Sequence, residues 1–184
     1  MRSAQSGPYF KVLTEEVSSP LRVYAGVCAT CRSEATAAWS AGPTAFAAAL
    51  TRTSGTDEHE HLVNGITEVI FEEERGRRKP ARMRSVHVFR SVEAARRFRN
   101  EFRRNAIGIY EVDHDGEFVH NSFMEWLNAT LIDSSGDLLG QIAEIRQNAR
   151  RYWNSEPPLG AGAGAYTETL LSPNVRVVRL VERF

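Results

Sequence analysis

The stretch from Leu138 to Leu171 constrains this chain most. Leu138, Leu139, Ile142, Ile145, Ala149 and Trp153 recur at helical spacing, so an amphipathic helix is predicted, opened by Ser135 or Asp137. It ends at Tyr152-Trp153. Asn154-Ser-Glu-Pro-Pro158 and the alternating Gly160, Gly162 and Gly164 then break all regular structure, and Tyr166-Thr-Glu-Thr-Leu-Leu171 reads as a strand. A helix, a small-residue loop and a returning strand set Glu168 just beyond a predicted flap, Glu156 to Ala165, at the rim of a cleft. A solvated carboxylate on an ordinary strand fits the same spacing. The glycines form no dinucleotide fingerprint, because that motif needs a strand before it and a helix after it.

The rest of the chain mixes short elements. Tyr9 to Leu13, Arg22 to Val27, Ser85 to Phe89, Ile107 to Val112 and Val175 to Val181 read as strands. Phe118-Val119 is expected to return on Ile107 to Val112 as a hairpin, across the turn Asp113-His-Asp-Gly116. Helical patterns cover Ala35 to Leu50, broken near Gly42-Pro43, and Asp57 to Arg75. Ser91 caps another, with Val92, Ala95, Phe98 and Phe102 on one face. Asn121 to Ala129 also looks helical. No βαβ alternation appears, so the expected class is α+β, in a single domain spanning residues 1–184.

Charge excludes some functions and sharpens others. The net charge is zero, so no global field draws the chain to nucleic acid. Yet Arg75 to Arg104 holds eleven Arg and one Lys against two Glu. The run Arg77 to Arg84 reads as a nucleic-acid footprint or as a wet turn with counter-ions. Arg96, Arg97, Arg99, Arg103 and Arg104 spread over several helix faces rather than forming one stripe. Glu72-Glu-Glu-Arg75 reads as a solvated helix end, or as a helix end whose Arg75 fork holds a diphosphate.

Cys28-Ala-Thr-Cys31 lacks the further ligands a zinc site needs, and His59 and His61 are spaced unlike a finger pair, so two reduced thiols and no metal are expected. His87 reads as structural, and Trp39 and Trp126 as core. No apolar run approaches the roughly 20 residues of a membrane span. Met1 to Gly7 lacks a signal-peptide core, which predicts a cytoplasmic protein or one exported by a specialised system.

Several pieces, taken in order, carry a resemblance. They are Tyr9-Phe-Lys-Val12, then Glu73-Glu-Arg75 before a basic Pro-containing turn, Ser85-Val-His-Val-Phe89 with Ser91 opening a helix, Ile109-Tyr-Glu-Val112, and Tyr152-Trp153 followed by a Pro-Pro loop and Glu168-Thr-Leu-Leu171. Together they resemble the DarT-like branch of ADP-ribosyltransferases and a related uncharacterised bacterial family. The resemblance covers about Ile66 to the C-terminus plus the first strand. It implies two small packed sheets with flanking helices and a central cleft. It also implies NAD as co-substrate and mono-ADP-ribosylation of a nucleic acid or protein by a bacterial toxin or effector, with an antitoxin or immunity protein as a further partner. Glu168 and Arg75 would be catalytic, and Tyr9, Lys11, Arg75, His87 and Tyr152 would bind the cofactor. Many members carry a His in the first strand; Lys11 stands at that place here. The alternative is a non-catalytic, Arg-rich module that binds nucleic acid or a partner protein.

Overall fold

A computed structural model describes residues 7–14, 29–116, 118–128, 137–161, 166–172 and 174–184. Its strands are β1 (Tyr9–Leu13), β2 (Val86–Val88), β3 (Gly108–His114), β4 (Val119–Phe123), β5 (Thr167–Leu171) and β6 (Val175–Arg183). The helices are α1 (Ala29–Ser40), α2 (Pro43–Arg52), α3 (Asp57–Glu73), α4 (Val92–Phe102), α5 (Glu125–Asn128) and α6 (Leu138–Trp153). The class is α+β. Two three-stranded sheets run in the orders β1-β3-β6 and β2-β5-β4, and every pairing is antiparallel. Phe10 and Phe89 exchange both backbone hydrogen bonds, each 2.8 Å, and so stitch β1 to the end of β2.

Local chemistry accounts for most boundaries. The Ser91 hydroxyl accepts from the Ala94 amide and starts α4, while the Asp137 carboxylate accepts from the Gly140 amide and starts α6. Thr56 caps α3 through the His59 amide, and three acidic residues follow in its first turn, where the helix dipole favours them. Gly42, at φ 97, and Pro43 divide α1 from α2.

Three apolar clusters hold the layers. The largest joins Trp39, Phe46, Leu62, Ile66, Ile70, Phe71, Ile142, Ile145 and Trp153 to Leu170, so α1, α2, α3 and α6 cover one face of β5. Leu171 faces the other way and packs with Tyr9, Val86, Val88, Val112 and Val175. The third cluster, with Phe10, Phe89, Ala95 and Ile109, seats α4 on β1 and β3.

Helices α1 and α3 approach closely at Gly65. A Cβ there would collide with the Cys31 carbonyl oxygen and lie 2.6 Å from the Ala35 Cβ. Helix propensity favours Ala by about 1 kcal/mol, but a clash against backbone cannot be relieved by a rotamer change. Gly65→Ala is therefore expected to lower stability by about 1–3 kcal/mol. Gly76→Ala, with nothing within 4 Å of its Cβ, should be close to neutral. Urea midpoints of the two variants check this.

The structure corrects several expectations. Phe118-Val119 does not return on β3. Both edges of β3 are taken by β1 and β6, and Asp113 and His114 extend β3 instead of turning. Strand β4 crosses to the other sheet and pairs with β5, from Val119 opposite Leu171 to Phe123 opposite Thr167. Asn121 to Phe123 are consequently strand, and α5 is one short turn, Glu125–Asn128. Only the first part of the flap, 156–161, is described, and it is exposed but for a half-buried Pro158. The Trp126 indole donates to the Glu156 carbonyl at 2.7 Å, and the Ala161 amide donates to Pro158 at 2.9 Å. The strand at Arg22 to Val27, Ser135, Cys28 and residues 162–165 lie outside the described residues. Cys31 is a buried thiol, while His59 and His61 bond to the Leu50 carbonyl and to Glu34.

Candidate active site

Strand alternation sends Glu168 and Leu170 of β5 to the side covered by α6, and Leu171 to the opposite side. Residues directly opposite in antiparallel strands share a face. His87 and His120 lie opposite Leu170, and Ser122 lies opposite Glu168. The surface under α6 therefore carries Glu168, Ser122 and two histidines. The C-terminal turn of α6 lands on it. The Tyr152 carbonyl accepts from the Ser155 amide at 3.0 Å, from the Ser122 hydroxyl at 2.6 Å and from His120 Nε2 at 3.2 Å, which ties the end of α6 to β4.

That anchorage aims the Tyr152 side chain at Glu168. The Tyr152 hydroxyl donates to Glu168 Oε1 at 2.5 Å. Arg82, in the short 3₁₀ turn Arg82–Arg84, donates through Nη1 to the same oxygen and to the Tyr152 hydroxyl at 2.8 Å. On the other oxygen, His87 Nδ1 donates to Oε2 at 2.9 Å. The remaining edge of Arg82 is held by Glu68, with Nε and Nη2 each 3.1 Å from one carboxylate oxygen. The turn itself is fixed by Glu72, which accepts the Arg82 amide at 2.7 Å. Lys11 of β1 donates to the His87 carbonyl at 2.8 Å.

The centre is dry. Glu168 is 2 % exposed, so the expected rim position is corrected: the carboxylate is neither on a rim nor on a solvated face. An unpaired ion there would be costly, and the sequence supplies its partners. Burial alone would raise the Glu168 carboxyl, but Arg82, and after it His87, outweigh burial and hold the group well below the usual carboxylate range. Burial pushes the Tyr152 phenol well up, so it stays a donor. Burial also pushes the Lys11 ammonium down to about 8, aided by Arg103 and opposed by Glu168.

Four of the residues singled out in the sequence therefore meet here: Glu168, Tyr152, His87 and Lys11. Two do not join them. Arg75 donates to Glu72 at 3.0 Å and to the Lys79 carbonyl at 2.7 Å, bracing the basic turn, and the arginine on Glu168 is Arg82. Tyr9 packs in the cluster on the Leu171 side, under the Arg90 guanidinium at 4.5 Å from its ring. Sequence reasoning missed Arg82, Glu68 and Ser122. Helical spacing does not mark Glu68, which lies away from the Leu62, Ile66, Val69 and Ile70 stripe; its burial on α3 comes from tertiary packing.

His120 gives the site a pH dependence. Burial, and next Lys79, push its imidazole down to about 4 from an ordinary 6.5. The unfolded chain takes up the proton first, so it binds more protons between these values, and stability falls as pH drops through that window. The expected loss is about 2 kcal/mol between pH 7 and pH 5. His120→Gln, which keeps a donor for the Tyr152 carbonyl, should flatten the slope. Urea unfolding at both pH values measures it.

No protein-family model matches this chain, and no curated protein matches it significantly. Among the described residues, no helix is long and apolar enough to cross a membrane.

Proposed function

We propose that this chain transfers ADP-ribose from NAD to a macromolecular acceptor, with Glu168 as the catalytic carboxylate. One observation carries the reading: Tyr152 and His87 both bond the buried Glu168 carboxylate, and Lys11 bonds the backbone carbonyl of that His87, so residues of four elements gather around it. The reaction breaks the bond between the ribose C1′ and nicotinamide. The bonding electrons leave with nicotinamide, and an acceptor nucleophile forms the new bond to C1′. The transition state resembles an oxocarbenium ion, and a fixed carboxylate in a dry site stabilises it.

Arg82 and Tyr152 occupy Oε1 and fix the plane of the carboxylate, whereas Oε2 accepts from His87 and keeps a lone pair for a ribose hydroxyl. His87 is the more open partner of Oε2, its side chain 16 % exposed against 3 % for Glu168, so the ribose is brought in on the His87 side. Lys11, which donates to the His87 carbonyl, is assigned the diphosphate role expected of Arg75. A carboxyl held so far below its usual range is a weak base. Glu168 therefore acts by charge and hydrogen bonding, and the acceptor's proton passes to solvent as the bond to C1′ forms.

Incubation of the protein with labelled NAD and cell lysate tests the proposal. Mass spectrometry should find nicotinamide release and ADP-ribose on a macromolecule. Neither signal with any lysate fraction overturns it. One observation favours the Arg-rich binding module as the second reading: Arg77, Arg78 and Arg84 are exposed and have no carboxylate partner among the described residues. Nucleic-acid binding that weakens steeply with salt, without NAD turnover, would identify that module.

A further inference from the structure

We infer that Glu68 is a positioning residue, which fixes the direction in which Arg82 presents its Nη1 hydrogens to Glu168 and Tyr152. The inference rests on the catalytic reading of Glu168. Glu68 is one of the buried positions of α3, and its side chain is 8 % exposed. Burying a second carboxylate is unfavourable, and one carboxylate already balances the charge of Arg82. Neutralisation of Arg82 alone therefore does not account for Glu68.

Geometry does. Glu68 meets Nε and Nη2 with one oxygen each, at 3.1 Å, which is the fork contact that fixes both the position and the plane of a guanidinium. With that edge held, Nη1 is the nitrogen left to reach the Tyr152 hydroxyl and Glu168 Oε1. The backbone of the same residue is tied to Glu72, so main chain and side chain of Arg82 are both fixed by α3. Without Glu68, the guanidinium can re-orient about Cδ–Nε and flips faster about Nε–Cζ, so the direction from which Nη1 meets the carboxylate is no longer fixed.

The test uses Glu68→Gln, which keeps the shape, and Glu68→Asp, which keeps the charge. The amide nitrogen of Gln would face a guanidinium donor, so one arm of the fork is lost. Two readouts are needed. In the wild type, proton–nitrogen NMR should show resolved, slowly rotating guanidinium signals for Arg82, assigned by their loss in Arg82→Lys. In Glu68→Gln these signals should collapse by rotation. NAD turnover should fall about 10–100-fold in kcat, with KM for NAD within about twofold, because the loss is one of orientation. Glu68→Asp should restore part of both. Should the Gln variant not fold, the Asp variant is compared with wild type on the same two readouts. Unchanged guanidinium signals, or an unchanged kcat beside collapsed signals, overturn the inference. A wild type that turns over no NAD overturns the catalytic reading alone, and the NMR arm then decides whether Glu68 orients Arg82.

Discussion

Replacing Arg82 by Met is expected to lower stability by about 3–5 kcal/mol, enough to unfold a marginal domain. Met keeps an unbranched apolar stem of similar bulk and removes the guanidinium. What is lost is the one cation between Glu68 and Glu168, whose side chains are 8 % and 3 % exposed. Each carboxylate would be left buried beside another of the same sign, and the Tyr152 hydroxyl would lose its donor. The pH response should reverse as well. In the wild type Glu168 is held ionised, so its contribution is complete above the ordinary value of 4.5 and is lost as pH falls through its depressed folded value. In Arg82→Met the paired carboxylates favour the protonated form, so acid should relieve the variant while it weakens the wild type. Arg75→Met serves as the control. Arg75 is half-buried, and it braces a turn that the Glu72 contact to the Arg82 amide also holds, so its loss should stay within about 1 kcal/mol. Urea unfolding of the three proteins at pH 7 and pH 3 decides the matter, because the Glu168 contribution is lost only below 4.5. Equal losses in the two arginine variants would mean that the buried cluster carries no special share of stability.

The contrast between these arginines shows what was legible in the sequence. Elements with their own local chemistry were readable: Ser91 starting α4, Asp137 as one of two starts offered for α6, Gly42-Pro43 dividing α1 from α2, and the alternation around β2. Strand partners were not. A short alternating stretch such as Val119 to Phe123 fixes which residues share a face but not which strand it meets. That choice followed from β3 already having two neighbours. The acidic member of the site stood out by its place after the Gly/Pro loop, and Tyr152 by its place at the end of α6. Arg82 sat among exposed basic residues of the same run. Only the burial of its turn against α3 separates it from Arg77, Arg78 and Arg84, and burial arises from tertiary packing.

Glu168→Gln is the substitution with the largest expected effect on chemistry, and it should also weaken the fold. A strand-rim carboxylate would contribute little to stability, but Glu168 is buried and meets three donors: Arg82 and Tyr152 on Oε1, and His87 on Oε2. The Gln oxygen can serve Arg82 and Tyr152. Its amide nitrogen then faces His87 Nδ1, donor against donor, unless the imidazole presents that nitrogen as an acceptor. The charge partner of Arg82 is halved in any case. A loss of about 2–4 kcal/mol is expected, less than full deletion of one member of a buried pair because shape and one acceptor survive. The effect on transfer should be larger than this strain explains. On the proposed reading the negative charge opposite the oxocarbenium ion disappears, and removal of one preorganised electrostatic partner typically reduces rate by about 10²–10³. The two effects separate if transfer is assayed at low temperature, where circular dichroism shows the variant folded, and is expressed per folded molecule. Glu168→Asp sharpens the comparison: it keeps the charge but withdraws the carboxylate from Tyr152 and Arg82, so it should lose activity while Arg82 retains a partner. If folded Glu168→Gln transfers ADP-ribose as fast as wild type, the carboxylate is the hub of a core ion cluster and takes no part in the reaction. If activity falls by orders of magnitude while the folded fraction stays high, the same buried geometry that stabilises β5 and α6 also holds the charge where the reaction needs it.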